Sequence, residues 1–327
     1  MKPLSTRIIR AVLSGVMAML ATAVAAADNQ PRTAFITLGT MGGPVPDGHR
    51  SQPANAIVHN ATTYLVDTGD GTVEQMARAG LRLSAVRAIF LSHLHVDHIG
   101  GLAAILGLRN QTEVRDVLTI YGPPGTRDLV AGLVASLQPS AKAGYGIPGK
   151  SWTPPENIVS VIELQDGETI RVDDMKVSVA QNTHYDFAPG SLEDRNYKSF
   201  ALRFDLPERS ITYTGDTGPS PAVESLALGA DLLVSEMIDI DATLDRVAHT
   251  SPNMPASVKA TMVHHLTTHH LTPQEVGALA ARAKVKALAV THIAGGMPDA
   301  ARTRAYSAAI AKTFAGPVTI ANDLDRF

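Results

Sequence analysis

The run His93-Leu94-His95-Val96-Asp97-His98 puts four ligand-type side chains into six positions. It follows Val86–Leu91, a short apolar run with the pattern of a buried strand, and leads into a helical stretch reaching about Leu108. Alternation along an extended chain aims His93 and His95 to one side, while Asp97 and His98 on the next turn face a second point. Neutral imidazoles with a carboxylate suit Zn(II) and, less selectively, Fe(II), Mn(II) or Co(II). The chain has no cysteine, which excludes disulfides, thiolate ligands and a cysteine nucleophile.

Composition narrows the classes further. At 327 residues and 45% hydrophobic, the chain can bury one large core and is not disordered. Twenty-eight basic residues against 31 acidic ones leave a net charge of -3, so there is no basic excess to displace counterions from a polyanion. No nucleic-acid partner is therefore expected.

The first residues look like an address. Lys2, Arg7 and Arg10 precede an apolar run from Ala11 to Ala21, and Ala23-Val24-Ala25 or Ala25-Ala26-Ala27 fits a small-x-small cleavage rule. The apolar run is shorter than the roughly 20 residues needed to span a bilayer. Residues 1–27 are thus expected to be a signal peptide and residues 28–327 a single domain, periplasmic or secreted, with no membrane association after cleavage.

Beyond this segment, strand and helix patterns mix. Thr33–Leu38, Ala56–His59, Thr63–Val66, Val117–Tyr121, Ile211–Thr214, Leu232–Ser235, Val285–Val290 and Val318–Ala321 read as strands, and 158–205 is dominated by them. Helices are expected over Val73–Ala79, Gly125–Leu137, from about Pro221, over Val258–Leu266 and over Asp299–Phe314. Such mixing suggests two sheets covered by helices on their outer faces. Pro139–Pro155, with Tyr145 and Trp152, reads as a surface loop near a mouth.

The His-x-His-x-Asp-His run resembles the signature of the metallo-β-lactamase superfamily, and the resemblance extends from about Thr33 to the C-terminus. It implies an α/β fold, a four-layer αββα sandwich, with a metal pair between the sheet edges. By its motifs, His93, His95 and His184 hold one metal ion, Asp97, His98 and His292 the other, and Asp216 in Thr214-Gly215-Asp216-Thr217 bridges them. Asp67, in Val66-Asp67-Thr68-Gly69, matches an aspartate that orients ligands from behind. The chain is similar above all to the ribonuclease Z and arylsulfatase-like branch, through Leu38-Gly39-Thr40, Gly42-Gly43-Pro44, Arg50-Ser51-Gln52-Pro53, Ser235-Glu236 and His270-Leu271-Thr272-Pro273. That likeness makes Glu236 and His270 candidates for assisting proton transfer. It departs where ribonuclease Z has a histidine before the glutamate and this chain has Ser235, and in leaving no room for a tRNA-gripping arm between Tyr185 and Ile211. Dimers are common in this branch, so a homodimer is one expected assembly.

Two divalent ions, Zn(II) foremost, would acidify a shared water and supply a bridging hydroxide nucleophile without serine or cysteine. Asp97 can orient its proton and His270 can protonate the leaving group. The expected activity is an exported hydrolase of small phosphodiester or sulfate esters. Lactone or β-lactam hydrolysis on the same metals is the first alternative. An iron-dependent dioxygenase and a non-catalytic zinc-binding protein stand behind it.

Overall fold

A computed structural model describes residues 33–46, 48–149, 153–296 and 298–327. The expected signal peptide and Trp152 lie outside these residues. Among the described residues, no helix is long and apolar enough to cross a membrane.

Among the described residues, thirteen strands form two sheets. The first has the order β1(Thr33–Gly39), β2(Ala54–His59), β3(Thr62–Thr68), β4(Val86–Phe90), β5(Leu118–Gly122), β6(Val159–Glu163). The second runs β13(Val318–Ile320), β12(Leu288–Ala294), β11(Leu232–Ile238), β10(Ser210–Tyr213), β9(Phe200–Asp205), β8(Met175–Gln181), β7(Thr169–Val172). Both sheets mix antiparallel hairpins at one end with parallel pairs at the other.

Side-chain alternation explains the layers. Along the first sheet Phe35, Ile57, Val66 and Phe90 point inward, where they meet Phe200, Phe204 and Tyr213 of the second. Their neighbours Ile36, Ala56, Leu65 and Ile89 point outward and are covered by the helices Leu102–Gln111 and Thr126–Ala143. On the far side, Leu233, Leu288 and Val290 are covered by the helices Pro221–Ala227, Pro273–Arg282 and Ala300–Ile310. A strand buried on both faces reads as a continuous apolar run, which is what these segments show. The result is the αββα sandwich of the metallo-β-lactamase fold.

Some boundaries differ from the sequence-based expectation. The helix from Thr126 runs on through Pro139 to Ala143, shortening the expected loop. Tyr145 donates to the Gln111 carbonyl and lines a hollow with Arg115 and Lys142, apart from the His93–His98 turn. β12 begins at Leu288, after Lys284 takes a left-handed conformation with φ of 51°. The helix Ile240–Thr250 was not foreseen, because its apolar face is half-buried and its sequence carries four charged residues, Asp241, Asp245, Arg246 and the cap Asp239.

Candidate metal centre

Every candidate ligand sits where a strand or a short turn reaches one edge of the sandwich. β4 delivers Ser92 and His93, and His95 caps the short helix Val96–Ile99 that carries Asp97 and His98. β8 leads to His184, β10 to Asp216, and β12 holds His292 within the strand. The structure therefore brings together all seven residues, although they span 200 positions from His93 to His292.

Two groups meet at Asp216. In the first, His95 Nδ1 is 3.1 Å from both His93 Nε2 and His184 Nε2. Asp216 Oδ2 lies 4.0 Å from His93 Nε2 and 3.9 Å from His184 Nε2. In the second, Asp97 Oδ2 is 3.7 Å from His98 Nε2 and 3.8 Å from His292 Nε2. Asp216 closes this group too, with Oδ1 3.3 Å from His98 Nε2 and Oδ2 3.1 Å from His292 Nε2.

These donor sets fit divalent cations. Bonds of about 2.0–2.1 Å to a tetrahedral ion put neighbouring ligand atoms about 3.3 Å apart, close to the spacings above. Asp216 Oδ1, His98 Nε2 and His292 Nε2 are buried without a hydrogen-bond partner, a cost of about 1–3 kcal/mol each that a bound cation would remove. The protonation preferences of the two groups differ accordingly. Burial holds His93 and His184 well below the ordinary imidazole value, keeping them neutral lone-pair donors. Burial opposes charge on His98 and His292 as well, but Asp216 and Asp97 outweigh it, raising His98 strongly and His292 to about 10. Against the pull of burial, His98 and His292 hold Asp97 at about 2, and His292 and His98 hold Asp216 well below the carboxylate range. The second group thus demands positive charge, which metal would supply in place of protons.

Behind the ligands lies a hydrogen-bonded support. Asp67 is fully buried and left-handed, with φ of 58°. Its Oδ2 accepts from His98 Nδ1, Ser92 Oγ and Tyr213 Oη, each at 2.8 Å, and its Oδ1 accepts from Ser92 N at 2.8 Å. With Nδ1–H committed to Asp67, His98 presents the Nε2 lone pair to the site. Tyr213 is the part that sequence reasoning missed, because a tyrosine in a core strand carries no spacing signal.

Glu236 and His270 also reach the site. Glu236 is fully buried in β11; its Oε1 accepts from Thr217 N and Leu271 N at 3.1 Å, and its Oε2 receives His270 Nδ1 at 3.0 Å. His270 packs 5.0 Å from the His184 ring and lines a cavity of about 500 Å³ above the ligands. Val45, Val96, Val247, Met254, Met262 and Leu266 form its apolar wall.

A profile for the β-lactamase superfamily domain matches residues 62–293. The chain belongs to the β-lactamase superfamily. Within it, ribonuclease Z from Mycolicibacterium paratuberculosis is 30% identical over 294 residues, covering 89% of this chain and 96% of that protein. Ribonuclease Z from Mycobacterium sp. strain KMS is 31% identical over 300 residues, covering 89% and 94%. Among solved structures, the metallo-β-lactamase fold protein YhfI from Bacillus subtilis superposes with a TM-score of 0.63 at 17% identity, covering 90% of this chain and 98% of that one. The short form of human tRNase Z gives 0.57 at 20% identity, covering 90% and 98%. This superfamily member is a metal-dependent hydrolase.

The same relatives overturn two expectations. Full-length kinship with ribonuclease Z contradicts an exported hydrolase of small phosphodiester or sulfate esters, and it contradicts the exclusion of nucleic acid. The exclusion failed for a physical reason. Net charge averages over the whole surface, whereas a phosphodiester is met by local fields and by the cations of the site. The connection between Gln181 and Phe200 is short and carries one small helix at Leu192–Asn196.

Proposed function

We propose that this chain hydrolyses RNA phosphodiester bonds with two divalent ions, Zn(II) foremost. His93, His95 and His184 would hold one ion, Asp97, His98 and His292 the other, with Asp216 shared. The carrying observation is the Asp216 carboxylate, standing between two preassembled groups with its Oδ2 3.1 Å from His292 Nε2 and 3.9 Å from His184 Nε2. Kinship with ribonuclease Z over nearly the whole length supports RNA as the substrate. Bound divalent cations supply an acidified water and Lewis-acid polarisation of the phosphoryl oxygens.

The chain's own residues do the rest. Asp97, held at about 2, stays ionised and orients the proton of the attacking water. Glu236 is anchored through Oε1 and holds His270 by Nδ1, which leaves His270 Nε2 to protonate the departing ribose oxygen. The Glu236 carboxylate outweighs burial and raises the His270 pKa, so the imidazole carries a proton to give. The apolar cavity beside the ligands offers room for an unstacked base next to the scissile phosphate.

The test is cleavage of a 3′-extended tRNA precursor and an unstructured RNA by the zinc-loaded protein, with and without EDTA. Metal-dependent cleavage leaving a 3′-hydroxyl is expected, with His270→Ala losing activity while keeping its metal. Intact RNA in the presence of protein that is saturated with zinc and cleaves bis(p-nitrophenyl) phosphate would overturn the reading.

A further inference from the structure

A second cluster of ligand-type side chains stands beside the first and shares no residue with it. Asp186 lies in the connection after β8, His264 in the last turns of the helix Ala256–Thr268, and His269 at that helix's C-terminal cap. Asp186 Oδ2 is 3.8 Å from His264 Nε2 and 3.9 Å from His269 Nε2, and the three ligand atoms all lie within 4.8 Å of one another.

His269 is the telling member. It is only 7% exposed, and its Nδ1 stands 2.6 Å from the Thr183 carbonyl. A carbonyl can only accept, so the proton is on Nδ1 and Nε2 presents a lone pair. That Nε2 is buried with no hydrogen-bond partner and faces Asp186 and His264. An imidazole whose far N–H is tied to a backbone carbonyl has the setting of a metal-ligating histidine. Ligand atoms on a tetrahedral ion lie about 3.3 Å apart, so motion of roughly 0.5 to 1.5 Å in the exposed Asp186 and His264 side chains would close the set. Two imidazoles and one carboxylate, with water completing the shell, suit Zn(II).

We propose that Asp186, His264 and His269 form an auxiliary zinc site, separate from the paired centre. Its position gives it a task. The His269 ring grips Thr183, and the His269 backbone carbonyl receives His184 Nδ1 at 3.3 Å. An ion here ties the connection that carries His184 to the helix Ala256–Thr268, which forms one wall of the apolar cavity. The auxiliary ion therefore braces His184 and the cavity wall without touching substrate. The proposal does not depend on what the paired centre cleaves.

Metal counting on the full chain tests it. Metal-free protein is titrated with Zn(II), and the bound equivalents are measured by elemental analysis after gel filtration in micromolar zinc. Co(II) titration followed by visible absorption provides a second readout. Wild type should bind three equivalents, the third raising the melting temperature. The double variant Asp186→Asn, His264→Gln alters two exposed side chains, 74% and 63% accessible, and should stop at two with no such rise. His269→Gln should behave likewise, with unchanged circular dichroism. Wild type saturating at two equivalents, or the double variant still binding three, overturns the proposal.

Discussion

Replacing Asp67 by asparagine tests the claim that a buried charge behind the ligands sets the affinity of the second metal position. The substitution keeps volume, and asparagine tolerates the left-handed φ of 58° about as well as aspartate does. What changes is the acceptor set. Three donors converge on Oδ2 and one on Oδ1, so the new amide oxygen will take the Oδ2 place and turn its NH2 toward Ser92 N–H. One hydrogen bond to a charged acceptor is lost outright, worth about 1.5–3 kcal/mol, and the other three weaken because the acceptor is neutral. A loss of about 2–4 kcal/mol in the stability of the metal-free protein follows. His98 also loses the anion that fixes its tautomer, and changes of this kind lower metal affinity by about 10- to 100-fold. Urea unfolding of the chelated protein and competitive zinc titration give the two numbers separately. If Asp67→Asn shifts stability by less than about 0.5 kcal/mol and zinc affinity by less than threefold, the carboxylate does not hold His98 as argued.

The other predictions are shorter. Asp216→Asn removes the charge shared by four imidazoles and should lower the metal bound at the paired centre by at least one equivalent and RNA cleavage to background; a fully loaded, active variant would show that another group joins the two sites. In the chelated protein, His292 is raised to about 10, so its contribution is complete below about 6.5 and is lost as pH climbs from there to about 10. Asp97 is lowered to about 2, so its contribution is present above about 4 and is lost as pH falls toward 2. Urea midpoints against pH should show both slopes, and zinc should abolish the alkaline one by replacing the proton. Met262→Trp places a large ring in the 500 Å³ cavity and should raise KM for RNA by about tenfold or more while leaving the melting temperature nearly unchanged; an unaltered KM would show that substrate does not enter there.

Much of the site was legible because the chemistry forces rare residues into tight patterns. Four ligand-type side chains in six positions cannot be mistaken for packing, and strands such as Phe35-Ile36 and Leu65-Val66 announce double burial by unbroken apolarity. Tyr213 was hidden because its ring is ordinary core and only its hydroxyl, 2.8 Å from Asp67, has a task. The Asp186, His264 and His269 cluster was hidden differently. Neighbours in that site are 78 positions apart, from Asp186 to His264, and no spacing rule connects them. The choice of substrate was misjudged because whole-chain charge carries no information about one cleft.

Two distortions of the backbone show how the sheets are bent to make the centre. Asp67 and His292 are both non-glycine residues with positive φ, 58° and 43°, and each sits at or near the ligand edge of its sheet. Such conformations cost on the order of 1–3 kcal/mol and persist only where surrounding contacts over-determine them. At Asp67 those contacts are four hydrogen bonds at 2.8 Å. At His292 the strand slips register against β11 between Ser235 and Met237, and the loop before β2 is tied to it: Gly42 N donates to the Ile293 carbonyl and Ile293 N donates to the Thr40 carbonyl. That loop cannot carry a larger residue at Gly42, where a Cβ would lie 2.6 Å from Ala294 N and 2.8 Å from His292 O. A regular strand would send His292 along the pleat and away from Asp216; the slip turns its Nε2 to 3.1 Å from that carboxylate. The strain thus lies on the two residues that orient the Asp97, His98 and His292 group, Asp67 gripping His98 from behind and His292 completing the group in front.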